Sequence, residues 1–195
     1  MHNHYELDFP CAIVREDVDI STYPEFNQYH WAVWNDRSDR YLTPEAVAFI
    51  HSMGICDQVW FDNKLQPDHV AVFRGNKDTF MDIHCDRGPS WCINYVWGSS
   101  RSEMSWWEPD SDINLSPEMC SIGSEYMKYD PLKCNLIDSV ELTGPTLVRI
   151  DIPHNVVNYD KENYRWCLSI RDLSNKWTWE EAVEKFRPWF AHDAE

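Results

Sequence analysis

The spacing of apolar and polar residues changes texture near residue 69. Beyond it, short runs rich in Val, Ile, Trp, Tyr and Phe alternate with clusters of Asp, Asn, Ser, Gly and Pro. Such runs, bounded by turn formers, predict strands over 69–75, 80–86, 90–98, 102–108, 135–142, 146–158 and 164–172. Pro153 cannot donate to a ladder, so the run over 146–158 is expected as two strands. Several short strands with turns between them predict a mainly β chain folded as a sandwich or barrel.

Helical spacing occurs twice. In 43–54, Thr43 can cap, Pro44 suits the first helical position and Gly54 can end the helix. Ala46, Phe49, Ile50 and Met53 would form its apolar stripe. Near the end, Thr178 and Glu181 make a capping box for a helix over 178–188, with Trp179, Ala182, Val183 and Phe186 facing inward. Residues 1–66 read as a flanking segment of mixed character. Residues 109–134 form a long connection, of the kind that serves as a lid or binding loop or simply decorates a surface.

A length of 195 residues predicts one domain, 1–195, with a sizeable core. The aromatic content, 11 Trp, 9 Tyr and 8 Phe, favours pleated half-buried surfaces or a lined pocket. A net charge of −16 argues against nucleic acid as a partner, because affinity for it rests on Lys and Arg neutralising phosphates. The seven Cys include no Cys-x-x-Cys, which predicts free, mostly buried thiols in a reducing compartment. The start, MHNHYELDFP, has neither the basic nor the apolar stretch of a secretory leader. No apolar run reaches the roughly 18 residues of a membrane span. A cytoplasmic location is therefore expected.

The triplet His84-Cys85-Asp86 is of a kind expected about once by chance in a chain with this many His and Asp. Its context gives it weight. It ends a strand-like run, and residues two apart on a strand share a face, so the imidazole and carboxylate point together. Of the two histidines that follow, His192 lies near the end with no strand after it. His154 shares strand parity with Val148, Ile150 and Ile152, an apolar face expected to be internal. Two His and one carboxylate, with positions left open, is the facial triad of non-haem Fe(II) oxygenases. Further on, Arg165, Cys167, Ser169 and Arg171 share one strand face. A cationic face inside a barrel is costly unless an anion compensates it, and a dicarboxylate would do so through a bidentate Arg contact. His2 and His4 resemble a metal-binding pair, but terminal histidines are usually incidental. For Trp106 and Trp107, core packing is preferred over a pocket role.

The order of these features resembles the Fe(II)/2-oxoglutarate-dependent dioxygenase superfamily. They are the His-x-Asp triplet, a long gap, GPTLVRID, and then His154 followed by Arg165-x-x-x-Ser169 on the last strand. HNVVNYDKENYRWCLSIR is similar to the closing motif of small, prolyl-hydroxylase-like members. The resemblance covers 69–172 and implies a double-stranded β-helix (jelly roll, cupin-like) with flanking helices. It implies Fe(II) bound by His84, Asp86 and His154, with 2-oxoglutarate and O2 as cosubstrates. Arg165 would pair with the distal carboxylate of 2-oxoglutarate, with Ser169 beside it and either Tyr95 or Asn94 as a further contact. Arg171 is expected in a structural salt bridge. The implied activity is hydroxylation of a protein side chain or small molecule, releasing succinate and CO2. Two alternatives stand beside it. Arg165-x5-Arg171 also fits AlkB-like nucleic-acid demethylases, and the fold alone would suit a catalytically silent binding module.

Overall fold

The computed structural model describes residues 2–8, 30–34, 69–110, 115, 117–119, 125–171 and 177–191. The helix expected over 43–54, most of the flanking segment 1–66, parts of 109–134 and His192 lie outside the described residues. Thirteen strands are described: β1 (His4–Glu6), β2 (His30–Trp34), β3 (His69–Gly75), β4 (Thr79–Phe80), β5 (His84–Asp86), β6 (Trp91–Trp97), β7 (Ser102–Pro109), β8 (Pro117–Met119), β9 (Glu125–Lys128), β10 (Cys134–Val140), β11 (Thr146–Arg149), β12 (His154–Asn158) and β13 (Arg165–Arg171). One α-helix, α1 (Trp179–Phe186), follows them. None of the described helices is long and apolar enough to cross a membrane.

The strands form two antiparallel sheets. One runs β1-β11-β6-β13-β3-β2, and the other β10-β7-β12-β5-β9-β8 with β4 beside β12. Their inner faces pack together. Cys92, Val96, Val148 and Cys167 of the first sheet meet Met104 and Trp106 of the second, with Leu142 and Ile150 completing the cluster. The outer face of the first sheet is covered as well. Every residue of β6 is buried, and Phe186 of α1 sets its ring edge-on to Trp91 at 5.4 Å. Trp179, Ala182, Val183 and Phe186 are the buried side of α1, and the Thr178–Glu181 capping box is formed in both directions.

Two sequence expectations change in detail. The run over 80–86 is interrupted: Thr79–Phe80 and His84–Asp86 pair separately with β12, and 81–83 lie between them. The stretch 109–134 holds a short hairpin, β8–β9, and a 3-10 turn over Pro131–Lys133 capped by Asp130. The run over 146–158 is split ahead of Pro153, as its missing N–H requires. At the end of β6, Gly98 takes φ 90°, where a Cβ would lie 2.7 Å from the Tyr164 carbonyl oxygen and 2.8 Å from Trp166. Glycine is needed there on both counts.

Candidate metal centre

β5 and β12 meet with the Cα atoms of His84 and His154 directly opposite, and Trp106 of β7 lies opposite His154 on its other side. Directly opposed residues share a face, so His84, His154 and Trp106 all point into the sandwich, and Asp86 follows two residues after His84. The two imidazole rings sit 4.5 Å apart, centroid to centroid. Trp106 is fully buried, its indole N–H donating to the Arg149 carbonyl at 2.8 Å.

Both rings have a fixed orientation. His84 Nδ1 lies 2.8 Å from the carbonyl oxygen of Asp82, and His154 Nδ1 lies 2.9 Å from that of Ile152. A carbonyl only accepts, so Nδ1 carries a proton in each ring, and Nε2 is the nitrogen left for another partner. This arrangement, with Nδ1–H bonded to the backbone, is typical of metal-ligating histidine. Burial pushes the His154 pKa down to about 4, and the neighbouring His84 adds to the effect, so the ring is neutral near pH 7.

Asp86 completes the group. Its Oδ1 lies 3.9 Å from His84 Nε2, and its Oδ2 accepts from the Arg171 guanidinium at 2.9 Å. Burial alone would raise its pKa, but Arg171 and the two imidazoles outweigh burial and hold the carboxyl below its usual range. Two Nε2 atoms and an anionic carboxylate suit a divalent cation of N/O preference. Their spacing is looser than in a closed coordination sphere: among the described residues no three or more His, Cys, Asp or Glu side chains form a ready-made metal cluster. Bonds of about 2 Å need donors roughly 3 Å apart. The His84–Asp86 gap would therefore close by about 1 Å of side-chain rotation.

The opposite sheet supplies cations. Ser169 pairs with Asn94, and Asn94 pairs with Thr146, so Arg165, Cys167, Ser169, Arg171 and Asn94 line one inner face. Arg165 is 5% exposed, its Nε has no hydrogen-bond partner, and among the described residues no carboxylate pairs with it. Among the described residues its side-chain partner is the Cys167 thiol, and burial holds the Arg165 pKa below the usual arginine range. Ser169 and Asn94 are buried beside it. The register separates the two candidates, Tyr95 and Asn94. Tyr95 opposes Leu168, which places it on the outer face away from Arg165, so of the pair only Asn94 points inward.

Several side chains at the site escaped sequence reasoning. Tyr126 of β9 opposes Asp86 and presents its ring edge-on to His84 at 5.9 Å, within the stretch read as a connection. The alternation Tyr126/Lys128 was its only signal. Arg171 forms the expected salt bridge, but to the proposed ligand Asp86 rather than to a remote group. His4 has a packing role: it stacks on Trp106 at 5.5 Å and faces Asp138 at 3.7 Å. Trp106 is core, and Trp107, half-buried, donates to Asn155 at 2.8 Å. The described cysteines, Cys85, Cys92, Cys134 and Cys167, are all free.

No protein-family model matches the chain, and no curated protein matches it. Among solved structures, an oxidoreductase of the 2OG-Fe(II) oxygenase family from Burkholderia pseudomallei is similar over 66% of this chain, at 10% identity and a TM-score of 0.40. The chain spans 56% of that protein's length. A likeness this slight bears on neither fold nor function, which rest on the geometry above.

Proposed function

We propose that the chain is an Fe(II)- and 2-oxoglutarate-dependent oxygenase in which a double-stranded β-helix, a jelly roll, forms the core of one domain. The strand pairing supports the fold. Taking β3, β5, β6, β7, β10, β11, β12 and β13 as strands one to eight, the pairs are one with eight, two with seven, three with six and four with five. That nesting is what a long antiparallel hairpin produces when it rolls up into two sheets. The observation that carries the function is the convergence of two Nδ1-anchored imidazoles and an arginine-held carboxylate, opposite a buried guanidinium that pairs with no carboxylate among the described residues.

In this reading His84 and His154 offer Nε2, and Asp86 offers Oδ1, to Fe(II). Arg165 binds the distal carboxylate of 2-oxoglutarate through its guanidinium, and Ser169 and Asn94 add hydrogen bonds. Iron, 2-oxoglutarate and O2 would supply the oxidising power, with succinate and CO2 as coproducts, while the protein fixes geometry. Burial of His154, Arg165 and Ser169 keeps bulk water from the anion and strengthens its contacts. The retained Asp86 suits hydroxylation of a protein side chain or small molecule. The free thiols suit a reducing, cytoplasmic setting.

Anaerobic addition of Fe(II) and then 2-oxoglutarate tests the reading. A visible charge-transfer band that needs both additions is expected. Folded protein that shows none would favour a silent binding module. A second reading, an AlkB-like demethylase, draws on Arg165 and Arg171 both facing inward. Measurable affinity for methylated single strands at low salt would favour it over the first, against the net charge of −16.

A further inference from the structure

Arg171 is the last residue of β13, in the sheet opposite β5, and its ion pair with Asp86 spans the gap between the sheets. The guanidinium is oriented by its own strand: Nε donates to Ser169 Oγ, two residues back on the same face, at 3.4 Å. Its bond to Asp86 Oδ2 is 2.9 Å long, and the two side chains are only 16% and 17% exposed, so little water competes for either. The other oxygen, Oδ1, is left on the His84 side at 3.9 Å, too far for a hydrogen bond. The carboxylate is thus divided, with one oxygen held by arginine and one turned toward His84.

We propose that Arg171 is a positioning residue for the metal centre, holding Asp86 by Oδ2 so that the carboxylate presents Oδ1 alone to the cation. The proposal rests on a cation binding among His84, Asp86 and His154. It does not depend on which substrate the enzyme takes. Without the guanidinium, Asp86 is free to turn about its side-chain bonds and to offer both oxygens, or neither, in the required direction. Partners that orient ligands in this way typically change metal affinity by 10–100-fold. A guanidinium acting only as a nearby positive charge would do the opposite, since its removal would tighten cation binding. The sign of the effect therefore separates orientation from simple repulsion.

The test is titration of the full-length protein with Mn(II), followed by spin resonance, and with Co(II), followed by its visible spectrum. The proteins are wild type, Arg171→Met, Arg171→Gln, Arg171→Lys and His84→Ala. Arg171→Met is expected to bind about 10–100-fold more weakly and to show an altered Co(II) spectrum. Arg171→Lys and Arg171→Gln, which keep a donor for Oδ2, should recover part of the affinity. If Arg171→Met does not fold, judged by its melting curve, these two carry the test. Binding by all folded Arg171 variants that equals or exceeds wild type, with an unchanged spectrum, overturns the proposal. If that happens while His84→Ala loses the metal, Arg171 alone is refuted. If wild type takes up neither ion, or His84→Ala binds as well as wild type, the centre itself and the role of Arg171 fall together.

Discussion

If the proposed reading holds, replacing Arg165 with Met should make the protein more stable and unable to bind 2-oxoglutarate. Arg165 is 5% exposed, its Nε lacks a partner, and no described carboxylate offsets its charge. Substituting well-packed apolar groups for buried ions often stabilises a protein by about 1–4 kcal/mol. The Cys167 contact already satisfies part of the guanidinium, so the lower half, about 1–2 kcal/mol, is the appropriate expectation. For a chain of this size that raises the melting temperature by about 2–8 °C. Met keeps the aliphatic stem that packs against the sheet. Binding moves the other way. Two charge-assisted hydrogen bonds at about 1.5–3 kcal/mol each are lost, enough to weaken 2-oxoglutarate at least about 100-fold. Melting curves with Mn(II), with and without 2-oxoglutarate, read both effects. At a hundredfold excess over Kd, the ligand should stabilise wild type by about 2.7 kcal/mol. The variant should melt higher alone and show no such increment. A variant that melts lower, yet still gains from 2-oxoglutarate, would refute the idea that this guanidinium waits for an anion.

Three further outcomes follow from the geometry. Asp86→Ala should abolish substrate-stimulated succinate formation, and undiminished coupled turnover would remove Asp86 from the ligand set. His154 is buried with its pKa lowered to about 4, so between pH 6.5 and 4 the unfolded chain takes up a proton that the folded one refuses. Metal-free stability should therefore fall by up to about 3 kcal/mol as pH drops through that window. Denaturant melts of His154→Leu beside wild type check it, because the variant should lose that part of the slope. Gly98→Ala meets both a left-handed φ and a backbone oxygen, and should cost about 1–3 kcal/mol in thermal melts without altering metal affinity. A neutral result would mean that the β6–β13 connection relaxes freely.

Features set by near neighbours were readable from the chain. His84 and Asp86 share a face because strands alternate, Pro153 breaks a ladder because it has no N–H, and Thr178 with Glu181 closes a helix start. Tyr95 and Asn94 could not be separated in this way. β6 is buried on both faces, so WCINYVW has no polar side to mark its orientation, and only pairing with Ser169 and Leu168 decides which residues point inward. The Arg171–Asp86 bond joins residues 85 positions apart on opposite sheets, and local pattern carries no trace of such a partnership. The hairpin β8–β9, with Tyr126, was hidden among Asp, Ser, Pro and Gly, residues that ordinarily signal irregular chain.

The donor atoms hang from one sheet and the guanidinia from the other. On the proposed reading the anion would lie across the gap between them and the carboxylate ligand is held by Arg171 from the facing layer, so a motion that parts the sandwich would release both of those contacts. Cation uptake would then be a gauge of sheet closure, and a substitution that loosens the interlayer packing around Met104 or Val148 should register first as weakened ion binding, before the chain unfolds.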